Sequence, residues 1–514
     1  MRFFLNIYKS KEFSFQIFFK GLQLYLTLTA IALAAFLVSL DGLIINVAIP
    51  TISGDLGVPE DVGTWLITVF SATSTLFVPV SGFLSLKIGD IKLFILGTII
   101  FQLGSLGCAI SSEFSPLLLF RMVQGAGAGL LVPVSLTLII NNFSPEKKSV
   151  AIGFWSFFVM VGPAMGPMVG GWFSAINWKW MFYLNLPIGF FSLAVVLVLL
   201  GEKKVETYAV RADPIGMTLL FVFVCSLQMA FNRWNIDDWF NSSFIVSLFI
   251  AAGISFILFI VWESFHPFPF IEISRFLKRS FIFPALTTAL GMSIIFSSLV
   301  LDALWTQKVL GYTPFWAGLA LAPVGIFPLI MYPIMGRFVN LIDLRLWVII
   351  SFLLYALTFY WLSQINLYTP FVRLALPRLI QGIGFAIFTV PNSIYVVKGV
   401  KPERLTATIS LFSFIRMLFV GFSVAIAVTL WMFREAHYQS IIMNRTHATS
   451  ANFQACLASL KTIARGEIQC FSIANSILES QAWTRALADI YYLYFFLFIS
   501  LAALVLCYES PKKL

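Results

Sequence analysis

Charge is scarce in this chain. Asp, Glu, Lys and Arg make up 11% of its 514 residues, against 60% hydrophobic ones. A soluble domain carries about 25% charged residues, so a water-soluble fold is excluded. Histidine is rarer still. The three present, His266, His437 and His447, all lie outside the apolar runs, which argues against a histidine proton relay. There is no phosphate-cradling glycine loop, no metal-ligand cluster and no nucleophile constellation. Neither ATP-driven transport, a resident metal nor an intramembrane enzyme finds support in a motif. The net charge of +10 could suggest nucleic acid, but the basic residues sit in short clusters between apolar spans, which excludes that reading.

What the chain has is long apolar runs. About 20 residues cross a bilayer, and stretches of that size fall near 22–48, 64–86, 92–111, 116–140, 149–175, 181–200, 213–231 and 243–262. Six more follow near 281–306, 315–336, 345–362, 370–396, 405–431 and 487–507. The reading is an all-α integral membrane protein with fourteen spans. Residues 1–21 form a basic, aromatic interfacial lead-in, 22–200 a first six-helix bundle, 201–280 a linker with two inserted helices, and 281–514 a second bundle carrying a long loop at 433–486. Lys and Arg concentrate in alternate loops (Lys87 and Lys92, Lys147 and Lys148, Lys203 and Lys204, Lys398 and Lys401). That bias puts both termini in the cytoplasm and the 433–486 loop outside. Of the five cysteines, Cys108, Cys225 and Cys507 fall in spans, while Cys456 and Cys470 share the outer loop, either as a disulfide or as two free thiols.

The chain is organised around a stretch that it repeats. Arg121, Gln124, Gly125, Gly127, Pro145 and Glu146 recur as Arg378, Gln381, Gly382, Gly384, Pro402 and Glu403, each 257 positions on, half the chain length. Internal duplication is how many transporters build a path between two bundles. Arg121 and Arg378 each sit early in an apolar helix, where a charge must face a cavity or a partner rather than lipid. After the first copy, Gly162, Gly166 and Gly170 recur every four residues beside Pro163 and Pro167, with Gly171 following. This makes one smooth ridge for close helix contact on a helix bent by proline.

The pattern R-x-x-Q-G-x-G-x-G followed by G-P-x-x-G-P-x-x-G-G resembles two motifs of the major facilitator superfamily, the second associated with its antiporters. The second half keeps the Arg motif and has Arg416 to Gly421 where the Gly-Pro motif would stand. Fourteen spans with two inserted between six-helix halves resemble the drug:proton antiporter branch, and within it the EmrB type of multidrug exporter. Leu40-Asp41-Gly42 through Ile52 and Trp180 through Gly189 are similar to stretches of that type. The resemblance implies a proton-driven exporter of hydrophobic or amphiphilic compounds in the bacterial inner membrane. It needs no cofactor beyond the proton gradient, and it implies a periplasmic adaptor of the membrane-fusion type and an outer-membrane channel as partners. A stand-alone exporter and a non-transporting sensor or scaffold are the alternatives.

Two departures matter. Leu86 stands where the superfamily's loop motif has an Asp, so a conformational latch using that carboxylate is absent, and Asn232 stands where the EmrB type has an acid. Among the site candidates, Asp41 is the one carboxylate deep in a first-half span, at a depth comparable with Arg121. Burial disfavours its charge and a guanidinium favours it, so the pair is either a proton-coupling site facing a cavity or a fixed structural ion pair. Gln124, Asp302, Arg378 and Arg416 are secondary candidates. Asp302 is read as lining an outer vestibule or as an interfacial carboxylate reaching water. Arg378 and Arg416 are packing charges or cavity walls, and Asn46 is an interhelix hydrogen bonder.

Overall fold

A computed structural model describes residues 2–143, 145–201, 213–234, 236–237, 239–267, 271, 278–397, 400, 404–445 and 467–508, with backbone alone over residues 2–21. Among them there are helices and no strands. The long helices are α1 (Arg2–Ile44), α2 (Trp65–Ile88), α3 (Asp90–Ile110), α4 (Phe114–Asn142), α5 (Pro145–Ile176), α6 (Asn185–Leu200), α7 (Pro214–Arg233) and α8 (Ser243–Phe265). They continue as α9 (Arg279–Lys308), α10 (Pro314–Leu321 carried on by Pro323–Phe338), α11 (Leu344–Leu362), α12 (Phe371–Val397), α13 (Leu405–Arg445) and α14 (Glu467–Leu504). Thirteen described helices are long and apolar enough to cross a membrane, and the bent pair Val150–Pro163 and Met168–Ile176 within α5 makes fourteen. A bilayer forces this all-helical solution, because each backbone amide must bond within its own segment.

The bend in α5 measures 46° and falls at the Gly-Pro motif, where Pro163 lacks the amide its turn would use. The glycine ridge of that motif packs on α1. A Cβ at Gly162 would come within 2.7 Å of the Leu40 amide nitrogen, and one at Gly170 within 2.3 Å of the Ile44 carbonyl oxygen. The contacts at residues 39–40 and 43–44 therefore bracket Asp41. Gly125 and Gly129 do the same for α4 against α2, where a Cβ would meet the Phe70 and Ser74 carbonyls at 2.6 and 2.2 Å. This explains how α4 lies almost wholly inside the protein, 94% buried over its apolar window, whereas α8 is 22% buried and faces outward with Ile250, Ile254 and Ile257.

The first-half core gathers Leu37, Phe94, Phe101, Leu131 and Ile139, and the second-half core gathers Ile295, Phe352, Tyr355, Phe388 and Phe498. The inserted helix α7 closes the seam between α2 and α13. Gln228 donates to Thr75 Oγ1 at 3.2 Å and lies against Gly421. At the end where α1 enters, here the near end, the halves are joined directly. Ser81 and Ser410 hydroxyls are 2.9 Å apart, and Thr406 donates to Asp90 Oδ1 at 2.9 Å. The carboxylate missing at Leu86 is thus replaced in this contact by one four residues later.

At the opposite, far end the described residues of the long loop read from sequence are helical. Residues 433–445 continue α13, and α14 begins at Glu467. Likewise the lead-in before residue 22 is a continuation of α1. Cys456 and the Cys470 side chain lie outside the described residues; Cys108, Cys225 and Cys507 are free.

Candidate functional site

Asp41 sits on α1 three residues before its end, 1% exposed, and Arg121 on α4 is equally buried. The two form an ion pair through Arg121 Nη1 and Asp41 Oδ2. The network around them is complete. Gln124 Nε2 donates to Asp41 Oδ1 at 3.0 Å and to Ser105 Oγ at 2.8 Å; Asn185 Nδ2 donates to the same Asp41 oxygen at 2.9 Å. Arg121 also donates to Gln124 Oε1 at 2.7 Å and through Nε to the Leu66 carbonyl at 3.2 Å. A buried charge is tolerated when it is paired and its remaining lone pairs are met, and here five helices supply the groups.

Asp41 does not line the central cavity. The central cavity, of about 290 Å³, lies between the two halves and is lined by α1 at Val38, Ser39, Gly42 and Leu43, the neighbours of Asp41 on the other side of the helix. Phe70 on α2 belongs to both regions: it lines the cavity, and its ring stands 4.1 Å from the Arg121 guanidinium carbon. The ion pair is therefore one aromatic ring away from the space a substrate could occupy.

The second half holds a matching pair that sequence inspection separated. Arg378 on α12 is ion-paired with Asp302 on α9, and the Tyr491 hydroxyl of α14 donates to Asp302 Oδ1. Arg378 Nη1 donates to Gln381 Oε1 at 2.6 Å, repeating the Arg121–Gln124 bond. Neither sequence reading of Asp302 holds, because it is 5% exposed and bonded on both oxygens rather than open to a vestibule or to water. The pairing was hidden by register: Asp302 stands 261 positions after Asp41, where the Arg repeat has 257, a difference of one helical turn. The halves also differ in completeness. Gln124 has both amide hydrogens in use, while Gln381 Nε2 is buried without a partner.

Arg378 is thus a packing charge, and Arg416 on α13 is a cavity wall; so is Asn46, just after α1, which forms no hydrogen bond to a neighbouring helix among the described residues. Pro163 lines the cavity as well, Gly171 is half-buried, and the Pro167 side chain lies outside the described residues. Asn185, Ser105, Phe70 and Tyr491 are the functional neighbours that sequence reasoning missed. Asn185 lies inside the quoted Trp180–Gly189 stretch and could have been found there; Ser105, Phe70 and Tyr491 carry no pattern that sets them apart.

The model of the Major Facilitator Superfamily matches residues 31–423. The chain belongs to that superfamily. Within it the relatives are close: the chain is 36% identical over 496 residues to the multidrug export protein EmrB of Escherichia coli, covering 96% of each. It is 35% identical over 497 residues to EmrB of Haemophilus influenzae, covering 96% of this chain and 97% of that one. The fatty acid resistance protein FarB of Neisseria gonorrhoeae is 36% identical over 493 residues, with 96% and 97% covered. The major facilitator fold recurs in the human organic anion transporter MFSD10, with a TM-score of 0.54 at 15% identity over 92% of this chain and 98% of that one. A bacterial homologue of the lysosomal transporter Spinster gives 0.50 at 15% identity, covering 95% and 99%.

Proposed function

We propose that this chain exports hydrophobic or amphiphilic compounds across a bacterial inner membrane in exchange for protons, with Asp41 as the proton carrier and Arg121 as its counter-ion. The observation that carries the reading is the shared side chain: Phe70 contacts the Arg121 guanidinium and also bounds the central cavity. Protonating Asp41 removes the negative charge that holds Arg121, so the guanidinium must find new partners and Phe70 must follow. A change in proton occupancy thereby reaches the cavity without the acid being exposed to it. The α5 bend and the glycine contacts of α5 on either side of Asp41 give α1 a surface on which to slide as the bundles rock. EmrB is named for multidrug export and FarB for fatty acid resistance, which supports apolar and amphiphilic substrates.

The loop charges support cytoplasmic termini. α13 is 41 residues long, about 62 Å, twice a hydrocarbon core of about 30 Å. With α14 it projects from the far end, and this helical pair is the surface offered to a periplasmic adaptor that leads to an outer-membrane channel. Inverted membrane vesicles test the transport reading. An imposed proton gradient should drive uptake of a lipophilic dye, and a protonophore should stop it; uptake that ignores the gradient would refute proton coupling. Uptake without any adaptor is expected in vesicles, whereas resistance in an intact two-membrane cell should require one.

A further inference from the structure

We propose that Arg416 is the head-group site of the central cavity, and that the ligand it takes is an amphiphile with a single anionic head, such as a carboxylate, and an apolar body. The proposal rests on the cavity being the substrate path and adds the charge of what enters it.

Arg121, Arg378 and Arg416 lie within membrane-spanning helices, the first two buried and Arg416 half-buried. Arg121 and Arg378 each have a carboxylate partner. Arg416, in the apolar middle of α13, has no hydrogen bond or ion pair among the described residues, and its side chain lines the cavity. A guanidinium stays charged at any physiological pH, so it cannot relieve its isolation by losing a proton. Among the described residues no Asp or Glu lines this cavity, and Asp41 and Asp302 are already bonded on both oxygens. The cavity therefore carries one uncompensated positive charge.

The remaining wall suits such a ligand. Met292, Phe296 and Val300 of α9 and Val420 of α13 present apolar surface for a chain or ring system. The neutral polar residues are a minority of the wall, and Arg416 is its one charged residue among those described. An unmet guanidinium in a mostly apolar wall is a donor awaiting an acceptor. The cavity's 290 Å³ is at the lower edge of the range of small-ligand sites, enough for a medium-length chain or a bicyclic acid. A cationic amphiphile of the same shape would meet like charge in a low-dielectric space, which is how a site rejects a competitor.

Three probes of matched length separate head from tail: decanoate, decanol and decyltrimethylammonium, titrated into the purified full-length protein in nanodiscs, with no proton gradient present. Decanoate should bind at least tenfold more tightly than decanol, and decyltrimethylammonium most weakly. Arg416→Gln should bring decanoate down to the level of decanol while leaving decanol unchanged, and Arg416→Lys should keep part of the preference. Thermal unfolding of both variants checks that they fold. Equal affinities for decanoate and decanol in the wild type would overturn the proposal, as would a parallel loss of all three probes in a folded Arg416→Gln protein. Because binding is read without a gradient, a failure of proton coupling shows only in the vesicle assay, and a failure of charge selection shows only here.

Discussion

The Phe70 ring centre lies 4.1 Å from the guanidinium carbon of Arg121, and the same side chain bounds the central cavity. This single side chain is the physical link between the charge network and the substrate space. Replacing it with Ala removes a cation–π contact of about 0.5–2 kcal/mol and opens a gap between the two. Phe70→Ala should still bind an apolar probe but lose gradient-driven transport by tenfold or more; Phe70→Tyr should retain it. Normal uphill transport by the Ala variant would show that coupling runs by another route.

The glycine ridge makes a graded prediction. At Gly170 an added Cβ would stand 2.3 Å from a backbone carbonyl of α1, whereas at Gly166 the nearest atoms are at 3.2 and 3.3 Å. Overpacking of this kind costs about 1–3 kcal/mol where backbone must shift. Gly170→Ala should lower the thermal midpoint in detergent and impair transport, and Gly166→Ala should do much less. Equal effects would mean that α1 and α5 are not in this register.

The Asp302–Arg378 pair should be structural in the first instance. Asp302→Asn leaves a buried guanidinium without its counter-charge, an effect of about 3–5 kcal/mol in buried pairs. Asp302→Leu combined with Arg378→Met should recover much of that stability. Fluorescence-detected unfolding of the three proteins reads both effects, and an Asp302→Asn protein as stable as wild type would contradict the buried pair.

The architecture was legible in sequence because a bilayer demands long apolar runs and because the duplication keeps Arg121 and Arg378, Gln124 and Gln381, at one spacing. The kink at Pro163 and the close face of Gly162, Gly166 and Gly170 could also be read directly, since they follow from what proline and glycine lack. Partnerships across helices were harder. Asp302 escaped because a shift of one turn preserves the helix face but breaks the numerical repeat. Arg416 read ambiguously because only the packing of α1, α2, α7 and α9 around it decides whether a carboxylate faces it. In the 433–486 segment the polar residues end the membrane signal without ending α13, which runs on to Arg445, so its helical extent could not be read from hydropathy.

Asp41→Asn keeps the size and much of the hydrogen bonding of the Asp41 site, including an oxygen for Gln124 and Asn185, while removing the ionisable group. In proteoliposomes loaded with a lipophilic substrate, the account predicts that this variant binds and exchanges substrate down its gradient but no longer accumulates it when a pH gradient is imposed. Asp41→Glu should keep partial activity with a displaced pH profile. Uphill, gradient-driven transport at wild-type rate in the Asn variant would contradict the assignment of Asp41 as the proton carrier.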